Sequence, residues 1–137
     1  VDQTVDEIVR LLRAYGAKSI SIDYDAGEPV GLRFSVPMTG LGERPIALPV
    51  RVQKVLERLK ALAKAREIRP EYATPDQAAR TAWRNVRDLV DASLSLVRWE
   101  QADLAEIAAG YLTDDRGQTL YEVLIRNGRL LTGGSES

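Results

Sequence analysis

The stretch KSISIDYDAGEPVGLRFSV, residues 18–36, decides the fold class when it is set against TPDQAARTAWRNVRDLVDASLSLVRW, residues 74–99. The first has a period of two. Ile20, Ile22 and Tyr24 alternate with Ser19, Ser21 and Asp23; after Asp25-Ala26-Gly27, Val30, Leu32, Phe34 and Val36 alternate again. That pattern predicts an antiparallel hairpin with those apolar residues inward. The second has a period near 3.6. Ala79, Ala82, Trp83, Val86, Leu89, Val90 and Val97 form one stripe, which Leu94, Leu96 and Trp99 widen. It predicts a helix about 38 Å long, started by Thr74 as cap, Pro75 in the first turn and Gln77 closing a capping box.

Working outward, Thr4 to Tyr15 carries Val5, Ile8, Val9 and Leu12 at helical spacing, with Thr4 and Glu7 as a capping box and Gly16 as the stop. Residues 37–44 are expected to be a Gly-rich loop. Residues 45–50 are expected to be an edge strand between Pro45 and Pro49. A helix is predicted from Val50 to about Ile68, on Val52, Val55, Leu56, Leu59 and Leu62. Short helices follow over Asp103 to Leu112 and from Thr119, a capping box with Glu122, to Asn127-Gly128. The expected architecture is α+β: an N-terminal helix and a three-stranded antiparallel sheet, then a run of helices including one long helix. Residues 1–132 are expected to form a single domain and residues 133–137 a disordered tail.

Composition narrows the chemistry. The 137 residues contain no cysteine and no histidine. Thiolate nucleophiles, disulfides, zinc–thiolate sites and the usual base of neutral pH are therefore excluded, and no cofactor or metal is expected. Carboxylates alone leave hydrolysis or a magnesium site open, but Asp23, Asp25, Asp114 and Asp115 lie in turns, where aspartate is common for backbone reasons. No apolar run reaches membrane-spanning length, and Val1 to Arg10 lacks the pattern of a signal peptide, so a cytoplasmic location is expected. A net charge of −1 argues against a generally basic, nucleic-acid-coating protein.

That net charge hides segregation. Residues 51–69 hold seven basic residues against Glu57 and Glu67; residues 100–122 hold six acidic residues against Arg116. Three readings stand: a solvated basic face partly neutralised by the acidic segment of the same molecule, a wall for a phosphate-bearing ligand, or a patch that meets another subunit's acidic segment. Arg80, Arg84 and Arg87 fall along one face beside the long helix's apolar stripe. Trp83 reads as core, and Trp99 as packing, an interface anchor or a stacking platform. The loop Asp114-Asp115-Arg116-Gly117-Gln118-Thr119 offers polar side chains and the start of a helix, and reads either as a plain capped turn or as an anion site.

From Pro70 the chain reads PEYATPDQAARTAWRNVRDLVDASLSLVRWEQADLAEIAAGYLTDDRGQTLYEVL. This resembles a group of small bacteriophage proteins with a similar capped helix, an Ala-Trp-Arg start and a closing Asp-Gly-Arg-Thr-Leu-Tyr-Glu. The N-terminal half resembles theirs too. Some proteins of this type look like the phage Thoeris anti-defence sponges, which bind cyclic ADP-ribose signals without cleaving them and assemble as dimers or larger oligomers. The resemblance implies a non-enzymatic, sequestering, homo-oligomeric protein in the cytoplasm of an infected bacterium. Its ligand contacts would fall on Gln101 and Ala102 after the long helix, on Gln118 and Thr119 in the closing loop, and on Arg66. Gln118 stands where the pattern has arginine, and Arg116 would compensate. Other functions remain open on the residues alone: a phage accessory protein for DNA replication or recombination that binds DNA or a protein, an assembly protein that binds only itself, and a carboxylate hydrolase.

Overall fold

The computed structural model describes residues 1–128. The expected tail at 133–137 lies outside the described residues. The elements are α1 (Asp2–Tyr15), β1 (Lys18–Asp25), β2 (Glu28–Met38), β3 (Gly42–Pro49), α2 (Val52–Lys64), α3 (Pro75–Arg98), α4 (Leu104–Ala108) and α5 (Leu120–Arg126), with single 3-10 turns at Pro70–Tyr72 and Ala109–Tyr111. A helix, a three-stranded antiparallel sheet and then a run of helices make the fold α+β, as the change of period implies.

Helix α1 stops where Gly16 takes a φ of 103° and its N–H donates to the Arg13 carbonyl, while the Ala17 N–H donates to that of Leu12. Its start differs from expectation. The helix begins at Asp2, so Thr4 already has helical geometry and cannot cap. Glu7 is thereby free to face α3, where it accepts a hydrogen bond from Arg87 Nη1 at 3.4 Å.

In β2, Leu32, Phe34, Val36 and Met38 are buried on one face, while Arg33 points from the other. In β1, Ile20 and Ile22 are half-buried as expected, but Tyr24 is 65% exposed. The pairing skips between Asp23, opposite Gly31, and Tyr24, opposite Pro29, and this irregularity breaks the alternation that would have turned Tyr24 inward. The loop expected at 37–44 is mostly strand. Met38 pairs with Gly42 and Val36 with Arg44, leaving a short turn in which Gly40 has a φ of 79°. Strand β3 lies at the edge, as its prolines predict. The edge is partly closed by a bridge from Ile46 to Leu112 and by the Thr113 N–H donating to the Pro45 carbonyl at 3.1 Å.

Helix α2 is shorter than its apolar pattern suggests. At its start the Val50 N–H still donates to the Val30 carbonyl, and Arg51 takes a left-handed φ of 54° before the helix begins. At its end Arg66, with a φ of 62°, occupies the left-handed position that glycine usually fills, and the Glu67 N–H reaches back to the Leu62 carbonyl. Helix α3 begins as predicted: Thr74 Oγ1 accepts from the Gln77 N–H at 3.2 Å. Gln77 does not complete a capping box, because its amide is taken by Thr81 Oγ1 at 3.1 Å and by Arg80 Nη2 at 3.0 Å.

One core joins these elements. Ile8 and Leu12 of α1, the inner residues of β2, Ile46 and Leu48 of β3, Trp83, Val90 and Leu94 of α3, and Ala108 of α4 form a single buried cluster. Trp83 is 0% exposed, and its indole N–H donates to the Pro29 carbonyl at 3.1 Å, so the one polar atom of the ring is satisfied. The chain then crosses the β3 edge, and α5 starts beside the outer face of the sheet. There the Thr119–Glu122 capping box forms as expected, with the Thr119 N–H donating to Glu122 Oε1 at 2.8 Å and the Glu122 N–H to Thr119 Oγ1 at 3.2 Å.

Candidate ligand-binding cleft

The crossing chain makes a cleft of about 310 Å³ between the outer face of the sheet and the start of α5. Its floor is Gly31, Ala47, Leu48 and Pro49; its walls carry Asp23, Arg33, Arg51, Tyr111, Thr119, Tyr121 and Glu122. The volume is at the lower end of small-molecule sites, about 300 Å³. The apolar hollow between the sheet, α3 and α4 is only about 60 Å³, too small for any nucleotide. Gly31 keeps the floor flat: a Cβ there would sit 3.0 Å from the Leu48 carbonyl oxygen.

Two arginines face this space by different means. Arg33 comes from β2 at a position that must point outward, since Leu32 and Phe34 point inward. Its Nε is held by Asp23, at 3.3 Å from Oδ1 and 3.1 Å from Oδ2, and its two Nη groups make no hydrogen bond within the described residues. Arg51 comes from the left-handed residue that joins β3 to α2, and its guanidinium lies 5.8 Å from the centre of the Tyr121 ring. No carboxylate of the described residues lies within 4 Å of Arg51. Glu122 is committed to its cap. The Thr119 backbone N–H first, then its hydroxyl, and then the charges of Arg33 and Arg51 hold its carboxyl below the ordinary range. The cleft thus offers two forks of N–H donors and an exposed aromatic ring, a combination that suits an anion attached to a planar group.

The expected site residues do not converge. Thr119 lines this cleft, beside Gly117. Gln118 faces elsewhere, its Oε1 accepting from Arg126 Nη1 at 3.0 Å. Arg116 is exposed and does not line the cleft; its backbone N–H and that of Gln118 donate to Asp114 Oδ1 at 2.9 and 3.0 Å, which makes Asp114 the organiser of the turn. Ala102 lines a different hollow, beside Glu100 and Asp103 and with no cation, a poor setting for phosphate, and Gln101 is exposed next to it. Arg66 borders a third hollow with Lys64, Arg69 and Tyr72. The three hollows share no residue. Arg33 and Tyr121 were not singled out from the sequence. Nothing in a strand pattern distinguishes a solvent-facing arginine from one that a later segment will cover.

The remaining candidates separate cleanly. Arg87 is engaged by Asp88 at 3.0 Å and by Glu7 at 3.4 Å, and Arg80 by Gln77, so the α3 arginines do not act as a free set. No ion pair among the described residues joins the basic segment 51–69 to the acidic segment 100–122. Among the described residues no group of three or more carboxylates is placed to hold a metal ion, and no helix is long and apolar enough to cross a membrane. No protein-family model matches the chain, and no curated protein or solved structure shows significant similarity to it.

Proposed function

We propose that the protein captures a nucleotide signal of the cyclic ADP-ribose type and holds it without cleaving it, as an anti-defence sponge in the cytoplasm of a phage-infected bacterium. The observation that carries the reading is the meeting of Arg33, Arg51 and Tyr121 around one cleft. Two guanidinium groups match the oxygens of a diphosphate, and the Tyr121 ring matches a base. The sequence likeness to the sponge group supplies the ligand class, and the absence of cysteine and histidine agrees with capture rather than turnover. The ligand contacts then move from Arg66, Gln101, Ala102, Arg116 and Gln118 to the cleft, and only Thr119 is kept.

The protein is proposed to act as a homo-oligomer. Leu89, Ala92, Leu96 and Trp99 are exposed on α3 at spacings of three, four and three, the seam of a helix pair.

Isothermal titration with cyclic ADP-ribose isomers, cyclic dinucleotides, cyclic trinucleotides and ADP-ribose tests the reading. One cyclic species should bind tightly and be recovered intact after heat denaturation. Arg33→Gln should weaken binding about tenfold to a hundredfold, the worth of a charge-assisted hydrogen bond of about 1.5–3 kcal/mol. Absence of heat from the whole panel with folded protein, or recovery of a cleaved ligand, would overturn it.

A further inference from the structure

The cations of α2 and of the connector to α3 are not used by the cleft and form no ion pair within the described residues. Lys54, Arg58, Lys60, Lys64, Arg66 and Arg69 are all exposed, and none has a carboxylate within 4 Å among the described residues. Four of them form like-charged pairs one turn apart, Lys54 with Arg58 and Lys60 with Lys64. Such pairs repel in an isolated helix and are relieved by an anion that spans them. At the C-terminal end of α2, Lys64, Arg66 and Arg69 border an open hollow of about 750 Å³ with Tyr72, a residue 51% exposed.

The left-handed turn at Arg66 and the 3-10 turn at Pro70–Tyr72 set the backbone from which these side chains project. Lys54 and Arg58 lie about 120° around the helix axis from Lys60 and Lys64, so the row that leads to Tyr72 is Lys60, Lys64, Arg66 and Arg69. This cationic row with its aromatic platform has two parts with different partners. The row matches a chain of phosphates, and the ring matches an unpaired base. A duplex would satisfy the first but offers no free base face to the second. We infer that this surface binds single-stranded nucleic acid, with the backbone along this row and a base on Tyr72. The inference is independent of the cleft and its ligand.

Fluorescence anisotropy of the full chain with labelled oligothymidylate, titrated across salt concentrations, tests it. Binding should weaken as salt rises, with a slope of log affinity against log salt near −0.7 for each phosphate contacted. Arg66→Asn with Arg69→Gln should lower affinity and reduce that slope by about 1.4; asparagine tolerates the left-handed backbone, so the fold is kept. Tyr72→Ala should lower affinity at least fivefold or so and leave the slope unchanged, because stacking releases no counterions. Circular dichroism of each variant confirms folding. Equal affinity for duplex of the same length, with no effect of Tyr72→Ala, would reduce the surface to an unspecific charge and overturn the inference. So would salt-sensitive self-association that oligothymidylate does not displace, since the row would then belong to the acidic segment of a second copy.

Discussion

The N-terminal half of α3 carries Trp83 and its C-cap is Trp99, and the two tryptophans differ in almost every physical respect. Trp83 is 0% exposed and hydrogen-bonded through its indole to Pro29, on a stretch of helix where Ala78, Ala79 and Ala82 are buried too. Trp99 is 73% exposed, at the point where the chain leaves the helix. Between them the character of the helix changes. Val90 and Leu94 are still buried, but Leu89 and Leu96 are 44% and 39% exposed. The same helical period therefore serves two purposes along one element: the N-terminal half is fastened to α1, α2 and the sheet, and the C-terminal half presents apolar surface outward. A tryptophan's contribution depends on which half it occupies, and the contrast can be tested from either end.

The largest effect should come from the buried end. Trp83→Ala should destabilise the protein by about 3–5 kcal/mol, read from the midpoint of denaturant unfolding, since it leaves a large void and an unpaired carbonyl at Pro29. Trp83→Phe should cost less, because most of the ring volume stays. Equal costs for the two would mean that the indole hydrogen bond, not packing, holds this half of the helix. The cap is next in size. Thr74→Ala should cost about 1 kcal/mol and Thr74→Ser almost nothing, since either hydroxyl can accept from the Gln77 N–H. A Thr74→Ala loss far below this would show that packing of Ala78, Ala79 and Trp83 alone sets where α3 begins.

The same contrast explains how much was legible in the sequence. Periodicity found the helices and strands, the edge position of β3, the Thr74 cap and the Thr119–Glu122 capping box, because these depend on residues close together in the chain. It placed Tyr24 inward and extended α2 at both ends. The pairing irregularity at Asp23 and the left-handed turns at Arg51 and Arg66 are carried by ordinary residues, without the glycine that marks such positions. The cleft was less legible still. Thr119 was expected at a ligand site, but its partners Arg33 and Arg51 come from segments about 70 to 90 residues earlier, joined only when the chain crosses the β3 edge. Nor does a stripe of apolar positions say whether the covering surface belongs to the same molecule. Trp83 and Trp99 fit one helical pattern, and only the tertiary arrangement tells them apart.

The exposed end should give the smallest effect on stability and the clearest one on assembly. Leu96→Ser with Trp99→Ser should change the unfolding free energy of the monomer by no more than about 0.5 kcal/mol for each site, since little surface is buried within the chain there. The parent protein is expected to sediment as an oligomer, and the same variant as a monomer. The Trp83→Phe variant sharpens the test, because Trp99 is then the last tryptophan of the two in the chain. If a second copy covers the seam, the emission of Trp99 should move to shorter wavelength as protein concentration rises, and its quenching by acrylamide should fall in step with the sedimentation coefficient. Emission that stays characteristic of a solvated indole at every concentration, in a protein that nonetheless sediments as an oligomer, would place the interface elsewhere. The apolar half of α3 would then be an exposed surface that the homotypic contact leaves uncovered.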